Sequence, residues 1–401
     1  MSDGRLVGCG TALITPFTAS GAVDERALRG FVQWQLDEGI DFVVPCGSTG
    51  EAATMTFEEH RRVVEITVEQ VNGRVPVVAG AGSNDTVKAI ELSRAMREAG
   101  ATHLLHASPM YNKPPQRGIV AHFTAIADAV DLPIVVYNVP GRTASNIEAS
   151  TTLELARHPG IISVKEASAN LPQITDCIQG RPAGFTVLSG DDELTLPILA
   201  LGGDGLISVV SNVVPRLMTE LVALGRARRF EEAQQLHMRL LPWMRAAFAE
   251  SNPMPVKAAL AMMGRCENVL RSPLVPMAAT HDATVRDALR AVGALTCPLT
   301  PTLCSTLHSR RTSCAAPTRR RATRFPRTPN NSWTFCSARW NAATYGRRNA
   351  TLGVPGVPCP GSSAASCWAF APAASRTCRL AVIMASRDWD SSTSTRTHPS
   401  A

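Results

Sequence analysis

Ile161-Ile162-Ser163-Val164-Lys165-Glu166-Ala167-Ser168 is a short β-branched run with one lysine near its C-terminal end. Its length and apolar density predict a buried strand of the kind found in parallel sheets covered by helices. An ammonium in such a strand costs several kcal/mol unless it is paired or deprotonated. Lys165 is therefore either ion-paired or held as a reactive amine. The strand alone leaves both readings open, and the residues at equivalent places on the other strands decide between them.

Outward from that stretch, short β-branched runs alternate with longer amphipathic segments from Leu6 to Asn212. The runs are Val7 to Phe17, Phe42 to Gly47, Val75 to Gly82, His103 to Pro109, Pro133 to Pro140, Ile161 to Ser168, Phe185 to Asp192 and Gly205 to Asn212. Between them lie helix-like segments such as Asp24 to Asp37, opened by an acidic capping residue, and Phe57 to Val71, apolar at spacings of three and four. This pattern predicts a (β/α)8 TIM barrel over residues 1–225. A doubly wound open sheet would carry a Gly-rich phosphate turn after its first strand, and Thr15-Pro16-Phe17 is not one. Arg229 to Glu250, Pro255 to Met263 and Asp282 to Val292 read as helices, giving a small C-terminal helical domain over 226–295.

Beyond Leu295 the sequence becomes Ser, Thr, Arg, Pro and Cys without period, so residues 296–401 are expected to be a disordered tail. Its abrupt onset reads as a different reading frame appended to the barrel. The formal net charge of +7 is the sum of two unlike parts. The tail holds 14 Arg, no Lys and 2 acidic residues, a net +12, which leaves −5 for residues 1–295. A mildly acidic body does not predict nucleic-acid binding, and the tail's dispersed arginines form no recognisable module. No apolar run reaches a membrane span and no signal-type core opens the chain, so a cytoplasmic protein without membrane association is expected. Cys9, Cys46, Cys177 and Cys266 are scattered without metal-ligand spacing and read as small buried hydrophobes.

In a barrel of this kind the chemistry sits at the C-terminal strand ends. Strand two ends in Gly47-Ser48-Thr49-Gly50-Glu51, whose glycines let the backbone bend and expose amides and hydroxyls to a small anion. Strand four runs into Tyr111, strand five ends in Tyr137-Asn138-Val139-Pro140-Gly141-Arg142-Thr143, and strand six supplies Lys165. Each has a plain structural alternative: Tyr137 could be core and Arg142 a surface ion pair. Together they describe carbonyl chemistry through an amine. A lysine with a lowered pKa attacks a keto group and forms an imine, hydroxyls move the protons, and an arginine clamps a carboxylate.

The Gly47 to Glu51 turn, Tyr137 to Thr143 and Val164-Lys165-Glu166-Ala167-Ser168 closely resemble the motifs of the dihydrodipicolinate synthase family. Gly190-Asp191-Asp192, Gly205-Leu206-Ile207-Ser208-Val209 and Asn252-Pro253-Met254-Pro255-Val256-Lys257 resemble its later segments, and the similarity runs from residue 6 to about 293. The resemblance implies a Schiff-base lyase that condenses pyruvate with aspartate semialdehyde in lysine and diaminopimelate biosynthesis. It implies no cofactor and a homotetramer built as a dimer of dimers. Lys165 would carry the imine and Tyr137 would donate and accept its protons, with Ser48 and Tyr111 completing the relay and Tyr111 reaching a neighbouring subunit. The backbone and hydroxyl of Thr49 and the main chain at Ile207 would hold pyruvate, Arg142 would bind the carboxylate of aspartate semialdehyde, and Gly190 would be a further substrate-binding position. Ser48 stands where threonine is usual, and the hydroxyl survives. Asn84 and His60 match the pattern of the family's lysine-effector site, whereas Phe57, Lys88 and Met110 do not. Two other readings share parts of this set: a sialic-acid lyase or keto-deoxy-sugar aldolase, and a non-catalytic barrel acting as a binding protein.

Overall fold

A computed structural model of the chain describes residues 5–295. The expectations for 296–401 lie outside the described residues. The strands are β1 (Gly8–Ala12), β2 (Phe42–Val44), β3 (Val78–Gly80), β4 (His103–Ala107), β5 (Ile134–Asn138), β6 (Ile161–Glu166), β7 (Thr186–Ser189) and β8 (Gly205–Ser208). Each falls inside one of the eight apolar runs and stops short of its C-terminal end. There the backbone leaves the ladder to form loops, so an apolar run marks the start of a strand better than its finish.

Around the strands lie α1 (Glu25–Asp37), α2 (Phe57–Val71), α3 (Thr86–Glu98), α4 (Gln116–Ala129), α5 (Pro140–Thr143), α6 (Ala149–Leu155), α7 (Leu171–Gly180), α8 (Thr195–Ala200) and α9 (Pro215–Arg226). Local signals set their starts. The Asp24 carboxylate accepts from the Ala27 amide at the head of α1. Thr56 and Glu59 form a reciprocal capping box on α2. Three further helices follow, α10 (Phe230–Ala246), α11 (Met254–Met262) and α12 (Asp282–Ala291). The fully buried Trp243 of α10 donates from Nε1 to the Val210 carbonyl at 3.4 Å, just beyond the end of β8.

All strand pairs are parallel, in the order β2-β1-β8-β7-β6-β5-β4-β3, and a parallel bridge between Val43 and Val77 brings the two ends together. The result is a (β/α)8 barrel. Phe42, Val44, Val78, Leu105, Val135, Leu188 and Ile207 form a cluster inside it, separate from the larger apolar layer between strands and helices. On β6 the two-residue period puts Val164 in the outer layer and Lys165 on the inner face. Parallel pairing then sets Lys165 directly beside Tyr137 of β5. Among the described residues, no helix is long and apolar enough to cross a membrane.

Candidate active site

A cavity of about 560 Å³ opens at the C-terminal strand ends, and Ser48, Thr49, Tyr137, Arg142, Lys165 and Gly190 all line it. Four different strand ends, those of β2, β5, β6 and β7, deliver these six residues to one place.

Lys165 is only 5% exposed. No hydrogen bond or ion pair engages its ammonium among the described residues. Its Nζ lies 4.2 Å from the centre of the Tyr137 ring. Burial, helped by the positive field of Arg142, brings its pKa down to about 7, with Asp192 opposing the shift. The lysine is thus not held in an ion pair, and burial shifts it toward the neutral amine. The Tyr137 phenol is driven the other way, up to about 12, by burial and the charge of Asp191 against the pull of Arg142. An amine shifted toward its neutral form therefore sits beside a phenol that keeps its proton, a pairing suited to attack on a carbonyl and protonation of the oxygen that leaves.

The turn after β2 is a single 3₁₀ turn over Ser48–Gly50. The amides of Gly50 and Glu51 close it on the carbonyls of Gly47 and Ser48, whereas those of Ser48 and Thr49 have no backbone acceptor among the described residues. Free amides and two hydroxyls at the cavity wall form a seat for a small carboxylate. Ser48 is exposed at its edge and Thr49 is buried, with Asn252 Nδ2 donating to Thr49 Oγ1 at 2.9 Å. Glu51 takes a left-handed backbone with φ of 57° and turns its side chain away from the cavity into a buried ion pair with Lys257 at 2.5 Å. The same carboxylate accepts from the Arg271 amide at 3.0 Å, while the Arg271 guanidinium grips Glu59 at 2.6 Å through two nitrogens. The turn is thus fastened to the segment that carries α11.

Arg142 lines the cavity from α5, exposed and without an ion-pair partner among the described residues. Gly190 closes the wall behind the lysine. A Cβ there would come within 2.8 Å of Ala167 Cβ and 3.0 Å of Lys165 Cε, so only glycine leaves the amine its present path. Asp192, 1% exposed, accepts from Ser208 Oγ at 2.5 Å and from the Val209 amide at 3.1 Å. Burial still raises its carboxyl to about 6.

Two of the expected residues are not brought to this cavity. Tyr111 is 89% exposed with a left-handed φ of 72°, and it is not part of the wall. Ile207 is fully buried in the barrel interior, and Val209, two residues further along, reaches the wall instead. Conversely, Asp192, Phe248 and Asn252 escape a reading of motifs. Asp192 and Asn252 stand in segments that carry the family resemblance, but nothing in linear spacing shows that Asn252 meets Thr49 across 203 positions.

The sequence model of the dihydrodipicolinate synthetase family matches residues 5–292. The chain belongs to that family. It is 53% identical over 292 residues to the 4-hydroxy-tetrahydrodipicolinate synthase of Koribacter versatilis, an alignment covering 73% of this chain and 97% of the relative. The dihydrodipicolinate synthase structure from Thermotoga maritima superimposes with a TM-score of 0.71 at 40% identity, covering 73% of this chain and all of that one. That of Acinetobacter baumannii, solved in complex with pyruvate, superimposes equally well at 0.71 with 38% identity, covering 72% and 99%. The dihydrodipicolinate synthetase match takes in the barrel and α10 to α12 together, so the appended helices belong to the family's own extent.

Proposed function

We propose that this chain condenses pyruvate with L-aspartate 4-semialdehyde to 4-hydroxy-tetrahydrodipicolinate, through an imine on Lys165 and without a cofactor. The observation that carries the reading is the unpaired, buried Lys165 amine in register with the Tyr137 phenol, in a cavity with the Arg142 guanidinium. Neutral Lys165 attacks the keto carbon of pyruvate and the phenol of Tyr137 protonates the hydroxyl that departs as water. Loss of a methyl proton from the imine gives an enamine, whose carbon attacks the aldehyde of the second substrate. The amino group of that substrate then displaces Lys165, closing the ring and returning the free amine. Thr49 holds the pyruvate unit, with Gly190 and Val209 beside it on the cavity wall. Ser48 relays protons outward to Tyr111, whose exposure fits a side chain that serves the cavity of a neighbouring subunit in a homotetramer. The site of action is the cytoplasm.

The sugar-aldolase reading shares Lys165, Tyr137 and the Gly47 to Glu51 turn. Arg142 separates the two, since a short aldehyde with an amino-acid head needs a carboxylate clamp where a sugar needs hydroxyl-binding groups. The test is pyruvate consumption with aspartate semialdehyde against cleavage of N-acetylneuraminate. Turnover of the sugar acid alone would overturn the assignment. Arg142→Ala is expected to reduce condensation more than about tenfold while leaving pyruvate imine formation within about threefold. Equal loss in both half-reactions, measured by steady-state rates and by imine trapping, would assign Arg142 another role.

Lysine is expected to inhibit weakly or not at all. Lys88 is exposed in the first turn of α3 and places a cation where the effector's ammonium would need an anion. His60, one of the two matching residues, already uses Nε2 on the Gly80 carbonyl at 2.8 Å. Half-inhibition at low micromolar lysine would contradict this.

A further inference from the structure

Asn252 lies between α10 and α11, is 5% exposed and forms part of the cavity wall. Its Nδ2 donates to Thr49 Oγ1, and its Oδ1 is buried without a partner among the described residues. The hydrogen bonding of this side chain is therefore directed at Thr49 alone. A threonine hydroxyl has one proton and two lone pairs. With one lone pair taken by Asn252, and with no protein acceptor for its proton among the described residues, the Thr49 hydroxyl is left as a donor.

We propose that Asn252 is a positioning residue for the keto-acid substrate, holding the Thr49 hydroxyl as a donor toward the substrate carboxylate. This rests on the reading that Thr49 holds pyruvate. The turn itself does not depend on Asn252 for its place. The buried Glu51–Lys257 pair at 2.5 Å and the Arg271 amide on Glu51 fasten its other end. Removing Asn252 frees the direction of one hydroxyl and leaves the backbone that carries it anchored. An acceptor in the same position would do the reverse, drawing the Thr49 proton to itself and away from the substrate.

The experiment is steady-state kinetics on the full chain, varying each substrate, with the thermal transition recorded for every variant. Asn252→Ala is expected to raise the KM for pyruvate about tenfold, with kcat within about threefold and the KM for aspartate semialdehyde unchanged. Asn252→Asp, which keeps the shape but offers only acceptors and adds a charge, is expected to raise the pyruvate KM further. It serves alone if the alanine variant does not fold. Thr49→Val is expected to match Asn252→Ala, and the double variant to be no worse than Thr49→Val, because Asn252 acts only through that hydroxyl. Additive losses, equal damage to both substrates, or a lowered melting transition with an unchanged pyruvate KM would each overturn the proposal. A wild-type chain that forms no borohydride-trapped adduct with pyruvate would instead remove the reading beneath it, so the two failures are distinguishable.

Discussion

Borohydride added to the chain with pyruvate is expected to leave one reduced adduct per chain, on Lys165, and none on Lys165→Ala. Only an imine is trapped this way, and Lys165 is the buried amine that lines the cavity without a partner. Loss of the nucleophile removes the covalent route, so turnover should fall by roughly a thousandfold or more. Lys165→Arg should be equally inactive, since a guanidinium keeps its proton at any working pH. The pH dependence follows from the lowered pKa of about 7. Attack needs the neutral amine, so the rate of adduct formation should rise about tenfold per unit below that value and level off above it. Because Tyr137 holds its proton to about 12, the plateau should show no phenol-linked loss through pH 10. Mass spectrometry of the reduced protein locates the adduct. An adduct that persists in Lys165→Ala, or a rate that falls between pH 6 and 8, would remove Lys165 from its role.

Lys257→Met is expected to be the most damaging change outside the cavity wall. Lys257 and Glu51 are both fully buried at 2.5 Å, and Lys257 Nζ also donates to the Val269 carbonyl at 2.8 Å and lies 4.1 Å from the centre of the Phe17 ring. Burial pulls the lysine's pKa down and Glu51 holds it up. Taking away one partner leaves a carboxylate stranded in the interior, a loss of about 3 to 5 kcal/mol. In a domain of this size that lowers the melting transition by roughly 10 °C. The pyruvate KM should rise with it, because Glu51 ends the turn that carries Thr49. Glu51→Leu combined with Lys257→Met removes both charges and should recover most of the melting transition, while the turn stays looser and the pyruvate KM stays high. Differential scanning calorimetry with initial-rate kinetics checks both parts. A single variant that melts within about 2 °C of the parent would show that the pair is not a structural anchor.

Much of this molecule was legible in the linear chain. The eight apolar runs and the capping residues at Asp24 and Thr56 are local signals, set by burial period and by the first unpaired amides of a helix. They predict a barrel without any knowledge of contacts. The candidate site was legible for a related reason: in such a barrel every strand's C-terminal end opens on the same mouth, so the polar residues there converge by topology alone.

The sequence by itself thus determined the eightfold alternation, the family and six residues that meet in the cavity. Tertiary structure alone decided the environment of those residues. A run of residues cannot state whether Lys165 is paired, because its charge depends on what β5, α5 and the loop after β7 bring around it: the Tyr137 ring at 4.2 Å and the fields of Arg142 and Asp192. Nor can it show Glu51 meeting Lys257, or Asn252 meeting Thr49, since these contacts span some 200 positions and carry no periodic trace. Local physics sets elements and strand ends. Burial and electrostatic field are properties of the assembled interior, and they shift a lysine in a strand toward its neutral amine.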